Sequence, residues 1–92
     1  LSKTEDTSVA FDITVEAENF ENESIDITAA SKGTLASSGD YTIAFTNDFG
    51  TQTATESTTL TGNINVSASD VANVKGGNYT GTTTFTINYF AE

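Results

Sequence analysis

Apolar and polar residues alternate along most of this chain, and strict alternation is the signature of a strand with one face buried. The cleanest example runs from Thr7 to Glu16. Val9, Phe11, Ile13 and Val15 share one face, and Ser8, Ala10, Asp12, Thr14 and Glu16 share the other. The last stretch, Gly77 to Phe90, reads as one long strand, with Tyr79, Phe85, Ile87 and Tyr89 on one parity and Thr82, Thr84, Thr86 and Asn88 on the other. Thr is β-branched and suits a half-solvated pleated surface. A closing strand of this length is expected at the centre of a sheet, entered through the Gly76-Gly77 turn.

Between these two stretches the pattern predicts further strands. Ser24 to Ala30 places Ile25, Ile27 and Ala29 inward, and Asp40 to Thr46 does the same with Tyr41, Ile43 and Phe45. Leu60 to Ala68 turns Leu60, Ile64, Val66 and Ala68 inward, with a bulge expected at Gly62. Turns are expected at Ser31-Lys32-Gly33 and at Asn47-Asp48-Phe49-Gly50. Thr34 to Gly39 reads as a loop or short edge piece whose Leu35 plugs the core, and Thr51 to Thr59 as an edge strand or a mobile loop. Ser69 to Lys75 reads as one helical turn, capped by Asp70, with Val71 and Val74 on the core side.

Five or six strands with no long helix predict an all-β fold. The expected form is a small antiparallel β-sandwich of immunoglobulin-like or jelly-roll type, with an N-terminal extension strand. A small open barrel is the alternative packing. The division expected is an arm over residues 1–16, a linker over 17–23 and a sandwich body over 24–92. The linker, AENFENE, is acidic and breaks the alternation.

Composition narrows the chemistry. The 92 residues contain no Cys, His, Met, Trp or Pro, so disulfides, imidazole ligands and the usual general base are absent. The remaining candidate nucleophiles and acids show no motif, and Gly76-Gly77 lacks the Lys and helix of a phosphate loop. A non-enzymatic protein without cofactor is expected. Three lysines oppose thirteen carboxylates, for a net charge of −10. Nucleic acids and anionic lipids need clustered cations, so neither is expected as a partner. No apolar run is long enough to cross a membrane as a helix. Glu16, Glu18, Glu21, Glu23 and Asp26 form the densest group of oxygens, but their spacing fits no EF-hand loop, and a solvated acidic surface with no metal is expected.

Thr and Ser together exceed a quarter of the residues, a balance common in secreted surface β-proteins. Three N-x-S/T sequons, at Asn22, Asn65 and Asn78, are candidate N-glycosylation sites. The chain begins at Leu1, as a mature chain does after removal of a signal peptide or as a trimmed one does. An extracellular location is therefore expected.

The Val9–Val15 segment has two readings: the first strand of its own sandwich, or a donor strand that completes the sheet of the next subunit. Strand addition draws affinity from backbone hydrogen bonds and specificity from alternate side chains in pockets. Val9, Phe11, Ile13 and Val15 would be the interface residues, and fully burying them would contribute on the order of 6–12 kcal/mol. Head-to-tail transfer need not close on itself, so it makes filaments.

Gly77 to Tyr89, GNYTGTTTFTINY, resembles the G-x-Y-x-x-T-x-T-x-T-x-x-Y closing strand of bacterial surface β-sandwiches, in particular the spore-coat-U and archaic chaperone–usher pilin group. It is also similar to the terminal strand of cell-wall-binding WxL-type domains, with Leu60 to Val66 and the SDVANVKGG link similar to what precedes it there. The resemblance spans about the last third of the chain. In the pilin group the mature N-terminus is an alternating apolar donor strand, which implies that role for Ser8 to Val15. The chain departs from that group in having no disulfide and in its shorter length, and from WxL domains in having Phe85 where an aromatic is expected but no Trp. The resemblance implies a secreted, non-enzymatic subunit of an extracellular filament that partners copies of itself. The alternative is a monomeric surface adhesion or carbohydrate-binding module, with Tyr41, Phe49, Tyr79 and Phe90 as candidate exposed aromatics and glycans or a cell surface as partner.

Overall fold

The structure, a computed structural model, describes every residue except Asn19, Ser38 and Glu92. It is an all-β fold of seven strands in two antiparallel sheets, a small β-sandwich. The strands are β1 (Thr7–Val15), β2 (Ser24–Ala29), β3 (Lys32–Ala36), β4 (Thr42–Asn47), β5 (Thr51–Ala54), β6 (Thr58–Val66) and β7 (Phe85–Phe90); a single helical turn, α1 (Ala68–Val71), follows β6. The larger sheet has the order β1-β6-β4-β3 and the smaller the order β5-β2-β7.

The two sheets meet over only part of their area. Val15 and Leu60 from the larger sheet bury themselves against Ile27, Ala29 and Ala54 from the smaller, with Phe49 between them. The other end of the larger sheet has a separate core of Ile43, Phe45 and Val66, covered by Val71 of α1 and flanked by Leu35, Ile64, Val74 and Tyr79. One long sheet is thus roofed at one end by a second sheet and at the other by the link from α1 to residue 80. The molecule measures 52 × 22 × 16 Å with a radius of gyration of 16.6 Å. A compact domain of this length would have a radius of gyration of ~12 Å. Its accessible surface is 6239 Å², against roughly 5,100 Å² for a compact monomer of this size. The fold therefore leaves uncovered surface that a compact packing would bury.

Several sequence-level expectations change here. The closing segment is not one long strand at the centre of a sheet. Only Phe85–Phe90 is strand, and it pairs with β2 alone, at an edge. Before it, Thr80 makes an isolated bridge to Ala36, and Gly81 passes so close to the Thr34 carbonyl that a side chain there would collide with it. The first residues of the segment close over β3, and only its last six join the smaller sheet, on the outer side of β2. Lys32-Gly33 is not a turn: both residues belong to β3, which pairs with β4 from Lys32↔Thr46 to Ala36↔Thr42. Gly62 is not a bulge, since the β1–β6 register runs unbroken from Thr7↔Val66 to Val15↔Thr58. Asp70 lies inside α1 rather than capping it, and the Ala68 N–H instead donates to Asp6 Oδ1 at 2.8 Å. Thr51 to Ala54 is an edge strand, and the next strand starts at Thr58.

Candidate functional site

β1 forms one edge of the larger sheet and has a single strand neighbour, β6, with nine residue pairs in register. Its apolar face runs from buried to open along the strand. Val15 is 8% exposed, Ile13 and Phe11 are half-buried, and Val9 is 57% exposed. The gradient follows from the architecture, because the smaller sheet covers only the Val15 end. The opposite face, Ser8, Ala10, Asp12 and Thr14, is exposed throughout.

Phe11 is the anchor of this strand. It lies directly across from Gly62, where a Cβ would sit 2.8 Å from Phe11 Cζ and 3.0 Å from Phe49 Cβ. The absence of a side chain at residue 62 is what lets the ring lie down. Phe11 stacks on Phe49 at 5.9 Å, and the Phe85 edge meets both rings at 6.1 and 5.7 Å. Offset and edge-on pairs of this kind add ~0.5–1.5 kcal/mol each to simple burial. The same device recurs in the second core, where the Phe45 ring covers Gly33 on the neighbouring strand.

β1 is also held at its two ends. Asp6 caps α1 as described, and beyond the strand the Ala17 N–H donates to Ser57 Oγ at 2.9 Å while that hydroxyl donates to the Ala17 carbonyl at 3.3 Å. Residues 16–23 then carry the chain to β2 in the other sheet. Asn22 takes a left-handed conformation with φ of 54°, which Asn tolerates better than most residues.

A small apolar cleft of about 210 Å³ opens beside the exposed end of β1, lined by Val9, Phe11, Asn47, Ile64, Thr83 and Phe85. Asn47 is 4% exposed. Its Oδ1 accepts the Phe49 N–H at 2.9 Å, which fixes the amide, and its Nδ2 has no partner among the described residues. Next to it, Asp48 accepts the Asn63 backbone N–H at 2.7 Å and the Asn63 side-chain amide at 3.2 Å. These bonds, the backbone one foremost and Asn65 contributing, hold its carboxyl below the usual aspartate range.

The acidic residues of the linker region do not converge. Glu16, Glu18 and Glu21 are exposed. Glu23 sits beside Tyr89, whose phenol is raised above its ordinary range by partial desolvation and by that carboxylate, and Asp26 accepts the Thr53 hydroxyl at 2.6 Å. Among the described residues no three His, Cys, Asp or Glu side chains come together as metal ligands would. Among the same residues no helix is long and apolar enough to cross a membrane. Of the sequons, Asn22 and Asn78 are exposed outside the strands, whereas Asn65 is half-buried in β6 between Ser8 and Thr46. A larger open cleft of about 790 Å³ lies at the other end, with Tyr41, Tyr79, Asn78 and Lys75 in its lining. Phe49 is 3% exposed and belongs to the core, so it is not available as a binding aromatic.

The sequence reading missed Asp6 as a cap, Asn47 as a buried polar residue and the seating of Phe11 on Gly62. Only the last had a signal, since a lone Gly inside a strand pattern marks either a bulge or a close approach. No family model, curated protein or solved structure matches this chain.

Proposed function

We propose that this protein is a structural subunit of an extracellular filament, polymerising head-to-tail when β1 leaves its own sheet and pairs with β6 of the next copy. The observation that carries the reading is the isolation of β1. It is an edge strand with one neighbour, so withdrawing it breaks one ladder and no other. Its contacts with the body are self-contained: the Phe11 seat on Gly62, the buried Val15 and the Asp6 cap on α1 all travel with the arm. A neighbour's arm restores all of them in the same register.

The energetics make the choice between home and neighbour a close one. Val15 fully buried and Phe11 and Ile13 half-buried contribute roughly 3–6 kcal/mol. That amount is the same in either copy, because the contacts are identical. A short connection normally favours the home site, since it gives an effective concentration in the millimolar range. Here the eight residues 16–23 must carry the chain from one sheet to the other and pass through a left-handed Asn22. Short hinges under strain invite exchange. The elongated shape and the excess surface are further support, because subunits of a fibre need not be compact alone.

Negative-stain electron microscopy of native material, with gel electrophoresis before and after boiling, tests the proposal. Thin fibres that collapse to one small band on boiling are expected, and Ile13→Asp should abolish them while leaving secretion intact. Monodisperse particles of monomer mass would reject it. The second reading, a surface adhesion or carbohydrate-binding module, rests on the Tyr41–Tyr79 cleft; glycan-array binding lost in Tyr41→Ala would favour it.

A further inference from the structure

The free edge of β7 is the most unusual surface of the molecule. Residues 76–91, GGNYTGTTTFTINYFA, contain no charged side chain in a chain that carries sixteen. Within it β7 has one hydrogen-bonded neighbour, β2, and leaves its other edge open. Its core-side row is Phe85, Ile87 and Tyr89, which lie across from Ala29, Ile27 and Ile25. Ile27 is 3% exposed, yet Ile87 beside it is 62% exposed and Tyr89 59%. Phe85 packs on Phe11 and Phe49, but beyond it the row stands open, and none of the described residues roofs Ile87.

The other three edges are defended. β1 carries Asp12 on its outer face and is followed by Glu16; β3 begins with Lys32 and is partly covered by Thr80; β5 is four residues long and polar. Charges, cover and shortness are the usual ways an edge avoids pairing with another chain. β7 uses none of them. Phe85 to Phe90, FTINYF, is six uncharged residues of high β-propensity without Pro or Gly.

We infer that β7 pairs antiparallel with β7 of a second copy, joining two small sheets into one six-stranded sheet across a twofold axis. The occupant is a second copy because of charge. At −10, most faces of this protein repel another copy, and this strand is where two copies meet without opposing carboxylates. Glu23 beside Tyr89 and Asp26 across from Asn88 both lie on the β2 side of β7, away from its free edge. The register follows from the pattern. Keeping both apolar rows on one face requires like-parity pairing, and pairing all three members of each row then sets Ile87 across from Ile87 of the partner copy and Phe85 across from its Tyr89, whereas a one-residue slip would set Ile87 against Asn88.

The size of the patch says what kind of contact this is. With ~200 Å² per large side chain, the exposed parts of Phe85, Ile87, Tyr89 and Phe90 come to roughly 400 Å² a side. That is about half of a standard interface. Single subunits should pair weakly, and subunits already strung into a filament should pair strongly, because neighbouring contacts along the string reinforce one another. The pairing is therefore lateral. It stands on β7 alone and does not depend on β1 exchange.

The cysteine-free chain makes the test direct. Ile87→Cys and Asn88→Cys are made separately in the full chain, with exposed Ser69→Cys as a collision control, and oxidised under identical conditions. Position 87 should form covalent dimers on the order of tenfold faster than positions 88 and 69, because only 87 faces its own copy. In parallel, Ile87→Lys, at an exposed position where folding is retained by circular dichroism, should abolish lateral pairing by sedimentation velocity at high concentration, or bundling by microscopy if filaments form. Equal, slow dimer formation at all three positions, or side-by-side association unchanged in Ile87→Lys, would overturn the inference. Loss of bundles with filaments intact would separate this contact from the β1 exchange.

Discussion

Gly62→Ala should unseat β1 without touching it. Residue 62 has no need of glycine for its backbone, since among the described residues positive φ values occur only at Gly50, Gly77 and Asn22. The added methyl would stand 2.8 Å from Phe11 Cζ and 3.0 Å from Phe49 Cβ, where ordinary contact begins near 3.4 Å. Phe49 is 3% exposed and wedged between the two sheets, so it cannot give. Phe11 is half-buried on an edge strand and will move. Lifting its ring loses stacking worth ~0.5–1.5 kcal/mol and part of its burial, for a total of ~1–3 kcal/mol. Urea unfolding should show the loss as a midpoint lowered by about 1 M, given m-values of ~1–3 kcal/mol/M. Hydrogen exchange should show it confined to β1 and its partner amides on β6. Phe11→Ala removes the nearer colliding group and leaves only the Phe49 Cβ contact, so the two changes must couple: Gly62→Ala should cost clearly less in the Phe11→Ala background than in the wild type. A cost equally large with and without the ring would refute the seating of Phe11 on Gly62.

Other consequences can be checked separately. Deleting three residues within 17–23 should raise the polymer fraction by size-exclusion chromatography, because a shorter hinge strains the home arrangement and leaves the neighbour's untouched. Asp6→Ala should cost ~1 kcal/mol by removing the cap on Ala68, visible as a lower thermal midpoint. Asn47→Ala should cost ~1–3 kcal/mol, since it leaves the buried Phe49 N–H without an acceptor. The Asp48 carboxyl is depressed by the bonds from Asn63, so its contribution is present above the ordinary aspartate range and is lost as pH falls below about 4. Asp48→Asn should flatten that acid limb in a pH series of unfolding curves.

The fold was legible wherever alternation was undisturbed. β1, β2 and β4 lie within a residue or two of where their patterns place them, and the inward positions Ile27, Ala29, Ile43 and Phe45 are buried. The failures share a cause: alternation shows which side chains share a face, not how many neighbours a strand has. FTINYF reads as a core strand, yet Ile87 and Tyr89 stand open because no strand of the other sheet extends over them. Phe49 reads as part of a turn and is in the core, because the turn at Gly50 folds it back between the sheets. Gly62 reads as a bulge and Gly33 as part of a turn, and each is a seat for an aromatic ring on the adjacent strand. Asp6 and Ala68 are 62 positions apart, so no local motif announces that cap.

The central claim is that β1 pairs with β6 of another chain. Thr14 and Thr59 are exposed and lie across from each other in the ladder. Paired strand positions fall within disulfide reach. Thr14→Cys in an isotopically labelled chain and Thr59→Cys in an equal amount of an unlabelled one, unfolded together, refolded at high concentration and oxidised, should yield a labelled–unlabelled disulfide in about half of the molecules, the share that random head-to-tail pairing gives, read by mass spectrometry. No labelled–unlabelled disulfide in the mixture, beside a Thr14→Cys, Thr59→Cys double variant that closes entirely within single chains, would show that the arm stays home and contradict the account.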